Sequence, residues 1–300
     1  MTGTYSIVAV DLESGELGVG VQSHWFSVGT KVPWAEAGVG AVATQALVEV
    51  SYGPLGLMLM RHGKTAEEAL RSLLASDPGA AYRQVAFIDS RGNVAAHTGE
   101  KCIPAAGHVV GEGYSAQANL VVSEEVWEFM ASAFEKAKGS LADRILAALE
   151  AAEEAGGDIR GRQSAALLVV SGKLGDPPWV ARRVDLRVED HPDPIGELKR
   201  LLRLHRAYEH MDAADKALEK ASLGEALAHY DEAEKLAPDR VEVRFWRAVA
   251  LASLSRVEEA ASVLKAQAIG GNWVELLRRL PSAGILSREA ADRLLALLEA

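Results

Sequence analysis

Two kinds of apolar pattern follow one another along this chain, and the change between them divides it. From Thr4 to Asp11 the sequence is a short apolar run rich in β-branched residues, Thr4-Tyr5-Ser6-Ile7-Val8-Ala9-Val10-Asp11. A Ser14-Gly15 turn follows, and a second β-type run, Leu17 to Ser23, leaves it. This predicts a hairpin that starts almost at the first residue. Ser27 to Ala37 reads as a loop, broken by Gly29 and Pro33. Val39 to Ala46 predicts a third strand, and Leu55–His62 and Thr65–Ser76 predict helices. The second helix opens on a T-x-x-E capping box, Thr65 with Glu68. Gln84–Ile88 and Asn93–His97 predict a second hairpin around Ser90-Arg91-Gly92. Further extended segments fall between residues 102 and 122. Ser123 and Ser140 then cap two helices, the second ending at Gly156-Gly157. Ala165–Ser171 and Val180–Val188 predict the last strands. Runs of strands alternating with helix pairs imply a layered α+β domain.

After Asp190-His191-Pro192-Asp193-Pro194 no strand-like run remains. Two prolines with charged neighbours make a stiff polar connector. The expected domains are therefore residues 1–195 and an all-α domain, residues 196–300. Within the latter, Ala226, Tyr230, Ala233 and Pro238 resemble the second helix of a tetratricopeptide (TPR) repeat. A step of 34 residues, the TPR period, carries Ala226 to Ala260, Tyr230 to Leu264 and Ala214 to Ala248. Ala213 and Arg247 depart from the pattern, standing where a large apolar residue is usual. Only about two repeats are visible, fewer than an independent array needs. The helical domain is thus expected to pack on the first domain or on another copy of the chain, and a homo-oligomer is expected.

Charge narrows the range of partners. The 300 residues carry a formal net charge of −10, which disfavours nucleic acid and anionic membranes. No apolar run approaches the ~18 residues of a membrane span. No secretory signal pattern opens the chain, since Asp11, Glu13 and Glu16 interrupt the first segment, and the cytoplasm is the expected location. Cys102 is the single cysteine, so no intrachain disulfide forms, and a small buried apolar role suits it. His97, His108 and His191 have no metal-ligand spacing, and His62, His205, His210 and His229 fall on helix surfaces. Residues 107–113 lack the spacing of a nucleotide loop. Neither metal nor cofactor is expected.

Several ordered blocks carry a resemblance. They are Tyr5-Ser6-Ile7-Val8-Ala9, Gly18-Val19-Gly20-Val21-Gln22-Ser23-His24-Trp25-Phe26, Gly38 to Ala46, Ser51-Tyr52-Gly53-Pro54, Gly113 to Asn119, Gly161 to Ala166 and Val184 to Pro192. Together they resemble the DUF1028 family of uncharacterised, Ntn-hydrolase-like proteins over the first two-thirds of the chain. The resemblance implies a four-layer α-β-β-α Ntn-hydrolase-like sandwich and an N-terminal nucleophile. Thr4, preceded by Gly3, resembles a self-cleavage junction; loss of Met1-Thr2-Gly3 would expose its amine as the base. Thr2, exposed by ordinary methionine removal, is the competing hydroxyl. The resemblance also sets Gln22, Ser23 and His24 close to the nucleophile.

The residues themselves offer roles and plainer readings. His24 suits a base or a hydrogen-bond organiser, and Gln45 an oxyanion donor. Ser115, Gln117 and Asn119 alternate, so they share one strand face that either lines a pocket or meets water. With Gln22 and Tyr52 they are the expected substrate contacts. For each the plainer reading is a satisfied polar residue at a strand end. The expected function is hydrolysis of an amide in a small or peptide-like substrate, with Thr4, Ser23, His24 and Gln45 as the catalytic set. The alternative is a non-catalytic Ntn-fold protein that binds or assembles through its helical domain.

Overall fold

The computed structural model describes residues 3–220, 222–266 and 269–299. It has mixed α+β character with two antiparallel sheets, followed by a helical region. Two compact units divide the chain, Met1–Leu201 and Leu202–Ala300.

In the first unit β1 (Thr4–Val10) and β2 (Leu17–Ser23) form the expected hairpin. Then come β3 (Pro33–Glu36), β4 (Gly40–Ala46), α1 (Tyr52–Arg61), α2 (Ala66–Ser76), β5 (Arg83–Asp89) and β6 (Val94–Thr98). They are followed by β7 (Ala106–Gly111), β8 (Tyr114–Asn119), α3 (Val126–Lys136) and α4 (Leu141–Glu154). The unit's strands end with β9 (Ser164–Val170), the short α5 (Pro178–Ala181) and β10 (Arg182–Val188). One sheet has the order β10-β9-β2-β1-β8-β7 and the other β3-β4-β5-β6.

Alternation along the strands sorts the side chains between two environments. Val8, Val10, Val19 and Val21 of the larger sheet pack with Ala41, Ala43, Ala86 and Ile88 of the smaller in one buried cluster. On the outer face of the smaller sheet, Val42, Val85 and Phe87 pack with Leu57, Met60 and Leu70 of α1 and α2. On the outer face of the larger sheet lie α3 and α4. Contact there is close: a Cβ at Gly20 would stand 2.3 Å from Ile145 Cγ2 of α4. The Gly-Val-Gly-Val run thus serves two layers, valines inward and glycines under a helix. Both α2 and α4 open on full capping boxes, Thr65 with Glu68 and Ser140 with Asp143.

Three local expectations change. Residues 27–37 are not all loop, because β3 pairs with β4 as an edge strand, where a proline's missing N–H is tolerated. Helix α1 begins at Tyr52 rather than Leu55, and Gly53 and Pro54 lie in its first turn, where a proline loses no intrahelical bond. The last strand starts two residues late, after the α5 turn. The division of units falls at Leu201/Leu202, a few residues beyond 195, inside the helix α6 (Pro194–Glu219).

The second unit holds the rest of α6, then α7 (Leu223–Leu236), α8 (Val241–Ser253), α9 (Val257–Lys265), α10 (Gly271–Arg279) and α11 (Arg288–Glu299). Ala214, Ala226, Ala233, Ala248 and Ala260, the small residues at repeat-like spacing, are all fully buried, as is Leu264. Small side chains at these points let helices approach closely. Arg247 is no packing residue; it reaches from α8 to Asp231 of α7 at 2.7 Å. Among the described residues no helix is long and apolar enough to cross a membrane.

Candidate functional site

The facing sheets are apolar over most of their length and turn polar at one end. In the larger sheet Thr4 is in register with both Ser23 and Asn119, and Ser23 with Ser164. In the smaller sheet Gln45 is in register with Gln84, and Gln84 with Thr98. These rows meet between the sheets, where the side chains of Thr4, Ser6, Ser23, Gln45, Gln84, Ser115, Gln117 and Asn119 are all buried.

Buried polar groups need partners, and here they supply them to one another. Ser115 Oγ donates to Gln117 Oε1 at 2.8 Å, and Gln117 Nε2 donates to Ser6 Oγ at 2.7 Å. Ser6 Oγ donates to Gln45 Oε1 at 2.6 Å. Gln84 Oε1 then accepts from Gln45 Nε2 at 2.7 Å and from Asn119 Nδ2 at 2.9 Å. The same two amide nitrogens stand 3.4 and 3.5 Å from the carbonyl oxygen of Thr4. Gln84 closes the chain by donating to the Ala118 carbonyl at 2.8 Å. A linked network of this kind fixes every member's rotamer.

A second cluster surrounds the peptide bond before Thr4. Thr4 Oγ1 donates to Ser23 Oγ at 3.1 Å, and Ser23 Oγ donates to the carbonyl oxygen of Gly3. That carbonyl also accepts from Arg160 Nη2 at 3.0 Å. Arg160 is oriented by Asp158, whose side chain is fully buried and which accepts from Arg160 Nε at 3.0 Å and Nη2 at 2.8 Å. Asp158 also accepts from the backbone N–H of His24 at 2.9 Å. The space beside Gly3 is closed: a Cβ there would lie 2.8 and 2.9 Å from the two Asp158 oxygens. Only glycine fits before Thr4 without displacing the carboxylate.

The structure brings Thr4, Ser23, Gln45, Ser115, Gln117 and Asn119 together. It places the other expected site residues elsewhere. The His24 ring turns to the Arg162 carbonyl, 3.2 Å from Nδ1, and only its backbone joins the cluster. Tyr52 lies in the outer core with α2, its hydroxyl donating to Asp77 Oδ2 at 3.1 Å. Gln22 is fully buried on the α4 side of β2, and neither its Oε1 nor its Nε2 has a hydrogen-bond partner. Near it Tyr5 donates to Glu153 of α4. Burial first, and then the Glu153 charge, push the Tyr5 phenol well above its usual pKa, so it remains a neutral donor. Thr2 lies outside the described residues.

Sequence reasoning missed Ser6, Gln84, Asp158 and Arg160. Ser6 was available as the next residue on the Thr4 face of its strand. The Gly157-Asp158-Ile159-Arg160-Gly161 loop was available as a charged, glycine-bounded segment between α4 and β9. Backbone strain marks the same region. Ser27 and Leu120, non-glycine residues at φ of 56° and 54°, follow the ends of β2 and β8, and Ala46, at φ of 68°, is the last residue of β4. Such residues cluster at functional sites. Among the described residues no group of three His, Cys, Asp or Glu side chains is arranged to hold a metal ion.

Fold and cluster together define an α+β protein with a polar inner layer around Thr4, the first residue of the first strand. The chain belongs to DUF1028, a family of unknown function, whose model matches residues 4–198. It is similar to protein SPO2555 from Silicibacter pomeroyi, a DUF1028 protein of known crystal structure, at 34% identity. That likeness covers 67% of this chain and 88% of the other, with a TM-score of 0.61. No curated protein matches the chain.

Proposed function

We propose that this protein is an Ntn-type amide hydrolase, a four-layer α-β-β-α sandwich with a TPR-like helical unit, whose nucleophile is Thr4 once residues 1–3 are removed. The observation that carries this reading is the grip on the Gly3 carbonyl by Ser23 and Arg160, with the Thr4 hydroxyl bonded to the same Ser23. Two donors on one carbonyl oxygen are what a developing oxyanion requires. In self-cleavage the Thr4 oxygen attacks the Gly3 carbonyl carbon. The Gly3–Thr4 C–N bond breaks, and the hydroxyl proton passes to the departing Thr4 nitrogen. Water hydrolyses the resulting ester, leaving the Gly3 carboxylate and a free Thr4 amine. Released from Gly3, Ser23 and Arg160 are left as donors for the carbonyl of a substrate. That substrate is a small or peptide-like amide: Thr4 takes its acyl group, the leaving amine takes the proton, and water frees the acid. An α-amine titrating near pH 7.7–8.0 is a competent base at neutral pH.

Gln45 and Asn119 hold the Thr4 carbonyl in this reading and so orient the nucleophile's backbone. Two repeats that cannot form an array alone make self-association part of the same proposal. Light scattering at micromolar concentration tests that part, and a monomeric mass overturns it. Intact-mass analysis tests the core of the reading. The expected chain begins at Thr4. A preparation that hydrolyses amides while still beginning at Met1 or Thr2 overturns the mechanism. A protein beginning at Met1 and inert on a broad amide panel favours the non-catalytic alternative.

A further inference from the structure

Past the end of β4 lies a cavity of about 200 Å³. Trp25, Val28, Val32, Leu47 and Val48 make its walls apolar, Ala46 joins it to the polar cluster, and Lys31 adds a cation. Ala46 directly follows Gln45, and it also lines a water-sized pocket of about 10 Å³ that reaches Asn119. The remaining walls are fastened to the same strand ends. Ser164, in register with Ser23, donates to the Trp25 carbonyl at 2.5 Å and accepts from the Val28 N–H at 3.0 Å. The Val32 carbonyl accepts from the Thr44 N–H at 3.2 Å. The cavity thus adjoins the polar cluster through Ala46, the residue that follows Gln45.

We infer that this cavity is the subsite for the acyl side chain of the substrate, and that it takes one aromatic or branched aliphatic group from a compound that also carries a carboxylate. This inference rests on Thr4 being the nucleophile. Three observations select the class. The volume suits a single ring: an apolar cavity of about 150 Å³ holds benzene, and whole-ligand pockets start near 300 Å³. Trp25 and Leu47 keep 42% and 40% of their surface in water, large apolar side chains left open where a ligand would cover them. Lys31 is exposed and has no carboxylate partner among the described residues, while the bond from Trp34 Nε1 to its carbonyl at 2.9 Å fixes its backbone. A free cation at the edge of an apolar cavity, in a chain of net charge −10, favours an anionic end group.

The test separates binding from turnover. Full-length Thr4→Ala protein is titrated by ligand-observed NMR with phenylacetate, phenylacetamide and acetate. Phenylacetate is expected to bind saturably, more tightly than phenylacetamide, and acetate not at all. Lys31→Gln should weaken phenylacetate about fivefold, the scale of an exposed charge contact, and leave phenylacetamide unchanged. Val48→Trp, which fills a half-buried wall position, should abolish both. Failure of phenylacetate to bind the Thr4→Ala protein, or equal binding to a folded Val48→Trp variant, overturns the subsite. Turnover separates the two readings. Amidase activity indifferent to the size of the acyl group removes the subsite and leaves Thr4 in place. Binding as expected without any amidase activity removes the nucleophile and with it the acyl role, leaving only a cavity for apolar carboxylates.

Discussion

Thr4 and Ser23 face each other across the first hairpin, and their hydroxyls are 3.1 Å apart with Thr4 donating. Because Ser23 donates in turn to Gly3, one hydroxyl touches both the proposed nucleophile and the carbonyl it attacks. Ser23→Ala removes that donor. It is expected to slow loss of the first three residues about a hundred- to a thousandfold, the usual effect of deleting one oxyanion donor. Time-resolved intact mass of freshly translated protein measures this. Unchanged processing in a folded Ser23→Ala protein would leave Ser23 a structural residue.

Arg160 provides the second donor and Asp158 aims it. Arg160→Lys keeps the charge but not the paired bonds to Asp158, so processing should slow nearly as much as in Arg160→Ala. Gly3→Ala should slow it too, since the added methyl meets both Asp158 oxygens. Full rescue by lysine would show that charge alone suffices.

Gln22 buries an amide with no partner, which costs roughly 1–3 kcal/mol. Gln22→Leu should therefore raise stability by about that amount in urea unfolding. If Gln22 contacts substrate as the sequence reading expects, the same variant loses affinity for it. A destabilised Gln22→Leu protein would mean that the amide is satisfied by water.

Asp77 gives the fold a pH dependence. Hydrogen bonds from Arg83, then from the Gly79 N–H and the Tyr52 hydroxyl, hold its carboxyl below the usual value. A depressed folded pKa contributes stability that is complete above the unfolded value near pH 3.9 and is lost as pH falls through the folded one. Asp77→Asn should thus be less stable than the natural protein at pH 7, with the gap closing in strong acid. Urea midpoints from pH 2 to pH 7 check this, and a gap independent of pH contradicts it.

Much of this was legible because it is local. The hairpin, the two capping boxes and the alternation of Ser115, Gln117 and Asn119 follow from neighbours in sequence. The face those three residues share does not meet water but is buried against the second sheet, where Gln45 and Gln84 present polar groups to the same layer. What stayed hidden depends on residues far apart. Asp158 and Arg160 reach Gly3 only after α3 and α4 have crossed the sheet. His24 drew attention for its ring, yet its backbone N–H makes the contact to Asp158. Tyr52 was an expected substrate contact lying ahead of a helix expected at Leu55, yet it opens that helix and packs into the outer core.

The left-handed conformations at Ser27, Ala46 and Leu120 have a consequence for how this chain tolerates change. Each holds a side chain where glycine would sit without penalty, at about 1–3 kcal/mol apiece. Any drift toward glycine there makes the molecule sturdier while loosening the rim that shapes its interior. Selection for heat resistance alone would erode those three positions first, so their persistence across warm- and cold-living relatives would separate a working rim from an idle one.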